Sequence, residues 1–394
     1  MSSAKKILER LSKNQLQVVN FLLTKDKASK NEIADALKMK LTSLNNILYP
    51  MRSEKIIVES IYGESNGGRR PVLYSIPEDK YLVIGIDISI MYTMVVLSDI
   101  KMNIIYQEKF MMNEYFTPEK TIEEIAEIIL RIKSIYDPDN TKILGIGLGT
   151  VGPIDMENRI LKENNNFYNN EWKNVRLKEM LEEKINEEVT WNNGVNCAVL
   201  LEYLYESSKG NKNSSIGYFN CGEGIRVGAI ASEKIICSMN NEEESFSKMV
   251  IIDSDKKVKT IKDYVTIKAI NSNYLKLTKD DDIQGKDNLE IFKEISKKAL
   301  NQDLIANKVL NEAAEIMGIG IINFIRLLNT DFIILGGPLI ENCPLFYNTC
   351  VEFVEKNITS KKIKFRNLEQ YGYSVIALGA ANMVIQKLLQ NNFY

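Results

Sequence analysis

The sequence predicts an α/β protein in two parts, a small helix-rich segment closed by a β-hairpin (residues 1–78) and a much larger α/β body (residues 79–394). Three observations predict it. Apolar residues at helical spacing give way near residue 56 to short β-branched runs. Beyond Pro77-Glu78-Asp79-Lys80, which reads as a linker, buried strands alternate with long amphipathic helices. The charge also divides there: residues 1–80 hold 14 Lys/Arg against 9 Asp/Glu, and the remainder holds 36 against 43. A basic end on an acidic body fits nucleic acid at one end only, and 394 residues exceed one ordinary domain.

In the small segment, Leu16, Val19, Leu22 and Leu23 mark a first helix. Ser29 caps a second that carries Ile33, Ala34 and Leu37, with Glu32 placed for a capping box. Thr42 is expected to cap a third that buries Leu44, Ile47, Leu48 and Met51, with Pro50 kinking its last turn. Two short helices joined by a tight turn make a helix-turn-helix. The exposed face of the second presents Lys40, Thr42, Ser43, Asn45, Asn46 and Tyr49. Asparagine can pair bidentately with adenine in the major groove, while Lys, Ser and Tyr suit phosphates. Ile56–Ser60 and Val72–Ile76 then form a hairpin around Ser65-Asn66-Gly67-Gly68-Arg69-Arg70-Pro71. Helix-turn-helix plus hairpin is a winged helix. Gly67 and Gly68 permit the sharp turn, and Arg69 and Arg70 are placed to enter a narrow, A/T-rich minor groove.

The body opens with a buried strand, Tyr81–Ile86, and two more at Thr93–Leu97 and Ile104–Phe110. A long helix (Thr121–Ile135), a strand (Ile143–Gly147), a Gly152-Pro153 turn and a helix (Leu177–Ile185) follow. Glycines at 222, 224 and 228 would let backbone amides approach an anion or a sugar, and Gly336-Gly337 would do the same for a nucleotide base or ribose.

Histidine is absent, which excludes a Ser-His-Asp triad, a His-ligated metal and a His general base. The five cysteines, Cys197, Cys221, Cys237, Cys343 and Cys350, lack C-x-x-C spacing and signal neither a disulfide framework nor a zinc knuckle. With no signal-peptide or membrane-spanning run, a cytoplasmic protein is expected.

Taken in order, Gly85-Ile86-Asp87, Gly145-Ile146-Gly147 with Gly152-Pro153-Ile154-Asp155, Asn192-Asn193-Gly194-Val195-Asn196, Gly222-Glu223-Gly224-Ile225-Arg226-Val227-Gly228 and Leu335-Gly336-Gly337-Pro338 resemble the motif series of the ROK family. That family joins sugar kinases and sugar-responsive repressors on an actin-like (ribonuclease H-like), two-lobed fold. The wing ahead of the body resembles its xylose-repressor-like branch. The kinase motifs are degraded. A D-x-G-G-T-like phosphate loop would match Asp87-Ile88-Ser89-Ile90-Met91-Tyr92, which has no glycine. The family's catalytic aspartate aligns with Gly194, which cannot take a proton. A shift by one puts Asn193 there, and an amide is no base either. The family's zinc cluster has no counterpart.

The resemblance implies an effector site in which Ser245 and Lys248 replace a glutamate and a histidine, Asn166 and Trp172 match a sugar-loop amide and aromatic face, and Asn193 and Gly194 lie beside them. The expected protein is a non-enzymatic regulator with no cofactor and no metal, acting as a homodimer, or a tetramer, on double-stranded operator DNA. A sugar or sugar acid bound between the lobes would change the placement of the two winged helices. A kinase with an accessory DNA-binding domain and a regulator that no longer senses sugar are the alternatives.

Overall fold

The computed structural model describes residues 2–60, 71–162, 167–211, 214–236, 243–253, 256–278, 286–367, 372–391 and 393. They form two compact units: Met1–Val151, Arg159–Lys212 and Ile376–Phe393 make the first, Gly152–Asn158 and Asn213–Val375 the second.

The first unit begins with α1 (Ser3–Glu9), α2 (Lys13–Lys25), β1 (Ala28–Ser29), α3 (Lys30–Leu37), α4 (Leu41–Ser53), β2 (Val58–Ser60) and β3 (Leu73–Ser75). Ser12 with Gln15 closes a capping box on α2, and Ser29 with Glu32 closes the one expected on α3. Hydrogen bonds from Ser29 hold the Glu32 carboxyl below the usual range. Thr42 is not a cap. The helix starts at Leu41, two residues earlier than a Thr42 cap implies, with extended Lys40 at the N-cap and no side-chain hydrogen bond there. Pro50 lies inside α4, which continues to Ser53. Strands β2 and β3 are antiparallel, with Val58 opposite Ser75 and Ser60 opposite Leu73, and β1 joins the other edge of β3. The turn carrying Gly67, Gly68, Arg69 and Arg70 lies outside the described residues.

The body of this unit continues with β4 (Leu82–Ile88), β5 (Tyr92–Asp99), β6 (Ile104–Met111), α5 (Pro118–Tyr136), β7 (Ile143–Thr150), the short β8 (Ile154–Asp155, in the second unit) and β9 (Ile160–Leu161), α6 (Leu177–Ile185), β10 (Val189–Asn193) and α7 (Gly194–Ser208). The sheet runs β6-β5-β4-β7-β10: an antiparallel meander extended by parallel strands, and β4 is buried along its whole length.

The second unit contains β11 (Ile216–Cys221), β12 (Ile225–Ala231), β13 (Lys234–Ile235), β14 (Val250–Ile252), β15 (Val258–Thr260), α8 (Lys262–Val265), α9 (Ile267–Thr278), α10 (Asn288–Leu300), α11 (Leu304–Leu328), β16 (Phe332–Gly336), α12 (Pro338–Asn342), α13 (Pro344–Asn357) and β17 (Lys364–Asn367). Its sheet, β13-β12-β11-β16-β17, repeats the arrangement of the first: third, second, first, fourth, fifth strand in chain order. Phe219, Phe292, Met317, Ile321 and Phe346 centre a core between that sheet and the helices.

The last helix, α14 (Val375–Leu388), returns the chain to the first unit. A side chain at Gly85 or Gly147 would stand 1.9 Å from the carbonyl oxygen of Ala377 or Ala380, and one at Gly379 would stand 2.1 Å from that of Cys197. Strands β4 and β7 and helix α7 therefore meet α14 backbone to backbone. Its far end reaches the N-terminal helices. Val384, Ile385, Leu388 and Leu389 share one apolar cluster with Leu16, Leu22, Ile33, Leu44, Leu48, Met51, Tyr81 and Leu144. Residues on both sides of position 78 thus contribute to a single core. Polar ties reinforce it: Asn20 and Asn391 exchange amide hydrogen bonds at 2.9 and 3.3 Å, and Lys80 Nζ donates to the carbonyls of Glu54 and Lys55 at 2.7 and 3.0 Å at the end of α4.

Candidate nucleic-acid interface and ligand site

Helix α4 has two sides of opposite character. Leu44, Leu48 and Met51 are fully buried, while Lys40, Thr42, Ser43, Asn45, Asn46 and Tyr49 are all exposed. No acidic residue occurs within Leu41–Ser53, and Arg52 pairs with Glu59 at 2.9 Å. The uncapped N-terminus adds to this face, because its first amides point outward with the positive end of the helix dipole and suit a phosphate. Sequence reasoning missed Leu41, which is 49% exposed at the first helical position and offers an apolar contact of the kind a thymine methyl accepts.

Candidate ligand residues fall in both units. In the first, Asn193 caps α7: its side-chain oxygen accepts the Asn196 amide at 3.0 Å. Asn192 Oδ1 accepts the Asn193 amide at 2.7 Å and Asn196 Nδ2 at 3.1 Å, so the three amides form one buried network. Gly194 is the first residue of α7, and a side chain there would meet Ile376 at 3.1 Å. Trp172 is not a sugar platform. It is 2% exposed, its ring stacks on Phe167 at 4.1 Å, and its indole N–H donates to the Phe116 carbonyl at 2.9 Å. An aromatic face covered by another ring has no room for a pyranose. Asn166 lies outside the described residues.

The turn in the place of the phosphate loop is closed on itself. The Ser89 amide and hydroxyl both donate to the Tyr92 carbonyl, at 2.9 and 2.8 Å, and the Tyr92 amide donates to Ser89 Oγ at 3.3 Å. Those donors are spent internally, and Ile90 is buried.

In the second unit, Ser245–Lys248 form a single 3-10 turn in which Phe246 enters the core and Lys248 is exposed. The glycine stretch expected to cradle an anion is covered. The Gly222 amide donates to the Gly224 carbonyl at 2.9 Å, and Glu244 Oε1 lies 3.0 Å from where a side chain on Gly224 would begin. A carboxylate there repels a phosphate. At Gly337, with φ of +91°, the space of a side chain holds Asn220 Oδ1 at 2.5 Å and the Cys221 carbonyl at 2.6 Å, so this glycine serves close packing and a left-handed backbone. The neighbouring Glu243 was not anticipated. It is 5% exposed, accepts the Gly152 amide at 2.6 Å and faces Arg226 Nε at 3.8 Å. Burial pushes its carboxyl up to about 7 despite Arg226 and the Gly152 amide. Among the described residues no cluster of acidic or cysteine side chains could hold a metal, and no helix is long and apolar enough to cross a membrane.

The model of the ROK family matches residues 83–242 and 261–387. The chain belongs to the ROK family. The xylose repressor of Caldicellulosiruptor bescii is 25% identical to this ROK chain over 405 residues, covering 95% of the chain and 96% of the relative. Among solved structures, a ROK family transcriptional regulator homologous to the E. coli MLC protein aligns over 96% of both chains with a TM-score of 0.71 at 14% identity. The ROK hexokinase of Thermus thermophilus aligns over 79% of this chain and all of its own, with a TM-score of 0.63 at 17% identity. The shared fold is therefore that of the sugar kinases and of the regulators alike.

Proposed function

We propose that this ROK protein is a DNA-binding transcriptional repressor of carbohydrate genes that responds to a sugar and does not phosphorylate it. The observation that carries the reading is the acid-free polar face of α4 set over a fully buried apolar side. In this reading α3 and α4 are a helix-turn-helix, β2 and β3 are the flanks of a wing tipped by Arg69 and Arg70, and two copies bind a palindromic operator. The relation over nearly the full length of a protein named xylose repressor supports it and makes D-xylose the first sugar to test. Asn193, Gly194, Ser245 and Lys248 are the residues offered to the sugar.

Against the kinase alternative stand three features: glycine at the base position, the self-closed Ser89–Tyr92 turn, and Glu244 over Gly224. Coupled detection of ADP with a panel of hexoses, pentoses and amino sugars tests it, and turnover would overturn the non-enzymatic reading.

Two measurements test the DNA reading. Duplexes selected from a random pool by Asn45→Ala or Asn46→Ala are expected to lose preference at one position relative to wild type, at a cost of about 1–3 kcal/mol for the lost base contact. Removing Arg69 or Arg70 is expected to weaken binding to the wild-type-selected duplex and to flatten its salt dependence by about one unit each. An unchanged slope in a fluorescence-anisotropy titration would remove the wing from the interface.

A further inference from the structure

We propose that Ile376, near the start of α14, is the positioning residue through which the ligand site acts on the DNA-reading helices, with α14 as the rigid lever between them. The assignment of a ligand to Asn193 and Gly194 rests on the function proposed above. The lever rests on packing alone.

At one end of α14 the Ile376 side chain lies against two glycines that bound this region. A Cβ on Gly149 would be 2.8 Å from its Cγ2, and one on Gly194 would be 3.1 Å from Cγ2 and 3.2 Å from Cδ1. Gly194 directly follows Asn193, the residue that caps α7. A displacement of the α7 N-terminus on the side of Gly194 where a Cβ would stand meets Ile376. Along its middle, α14 is packed close on backbone, where Ala377 and Ala380 present carbonyls to Gly85 and Gly147, and Gly379 faces the Cys197 carbonyl. Backbone against backbone does not compress, so a push at Ile376 moves the helix as a body. About 12 to 20 Å further on, at 1.5 Å per residue, Val384, Ile385, Leu388 and Leu389 lie in the cluster that also holds Leu16, Leu22, Leu44 and Leu48. Asn391 there is bonded to Asn20 of α2. The polar face of α4 is the reverse side of that cluster, so its orientation follows the helix end.

Gly194→Ala imitates the push without any ligand. Relative to wild type, with no sugar present, the variant is expected to bind the wild-type-selected duplex about fivefold or more differently and to change hydrogen exchange of the Leu44–Met51 amides. Adding Ile376→Ala removes the atoms that the new methyl strikes and is expected to restore both to within about twofold. Unchanged binding and exchange in Gly194→Ala would overturn the lever, as would a change that Ile376→Ala fails to relieve. So would a loss of protection spread equally over β4 and β7, which marks general loosening. In the second arm D-xylose is the probe. Wild type is expected to show a sugar-dependent change in exchange at Leu44–Met51, and Ile376→Ala is expected to keep its D-xylose affinity within about threefold while losing that change. An intact response in Ile376→Ala would overturn the proposal. If wild type binds no D-xylose, the sugar assignment fails while the Gly194→Ala arm still decides the lever.

Discussion

Gly147→Ala is expected to destabilise the first unit by about 3 kcal/mol, at the upper end of what inserting one methyl into a packed interior costs. The new Cβ would begin 1.9 Å from the Ala380 carbonyl oxygen and 2.4 Å from its carbon. Neither is the end of a flexible side chain, so either strand β7 or the whole of α14 has to move. Gly145→Ala, two residues earlier on the same strand, is expected to cost only about 1 kcal/mol, because its new methyl meets a single side-chain atom, Val384 Cγ1, at 2.9 Å. Both tryptophans of the chain, Trp172 and Trp191, belong to this unit, so urea unfolding followed by their fluorescence reports on it directly. Equal midpoints for the two variants would refute the backbone-to-backbone contact.

The second large effect depends on pH. Glu243 carries a carboxyl raised from 4.5 to about 7, chiefly by burial. A folded-state pKa above the unfolded value favours the native state while the group keeps its proton. That advantage is complete below about pH 4.5 and is lost as pH rises through 7, a fall of roughly 3 kcal/mol by linkage. Gln keeps a neutral group able to accept the Gly152 amide and has no proton to lose. The stability of Glu243→Gln relative to wild type is therefore expected to rise by roughly that amount between pH 5 and pH 8. Scanning calorimetry at the two pH values reads it, since the second unit holds no tryptophan. A difference between the two proteins that stays constant with pH would show that the carboxylate is already ionised when buried.

Much of this architecture was legible where a local rule and the global fold agree. Ser29 with Glu32 capped α3 as expected, the helix at Leu177–Ile185 has the predicted bounds, and the meander of three strands forms the edge of the first sheet. The polar face of α4 followed from the same periodicity that buries Leu44 and Leu48. Helix α1 was missed because seven residues with only Ala4 and Leu8 buried give too little periodic signal. Thr42 misled because Ser, Thr and Asn look alike as caps, whereas extended Lys40 occupies the N-cap two positions earlier. Trp172 misled for another reason. Its identity suits a sugar, but only the fold reveals that Phe167 already covers the ring. The glycines of β4 and β7 were visible as motifs, yet the partner that requires them is the helix beginning at Val375, more than two hundred positions away in the chain and beyond the reach of any local pattern.

The pairing of Asn20 with Asn391 spans 371 positions, and the apolar cluster around it runs from Ala4 to Leu389. Its consequence concerns time. A ribosome makes α2, α3 and α4 well before α14, so in a growing chain these helices lack part of their shared apolar cluster until Val384, Ile385, Leu388 and Leu389 have emerged.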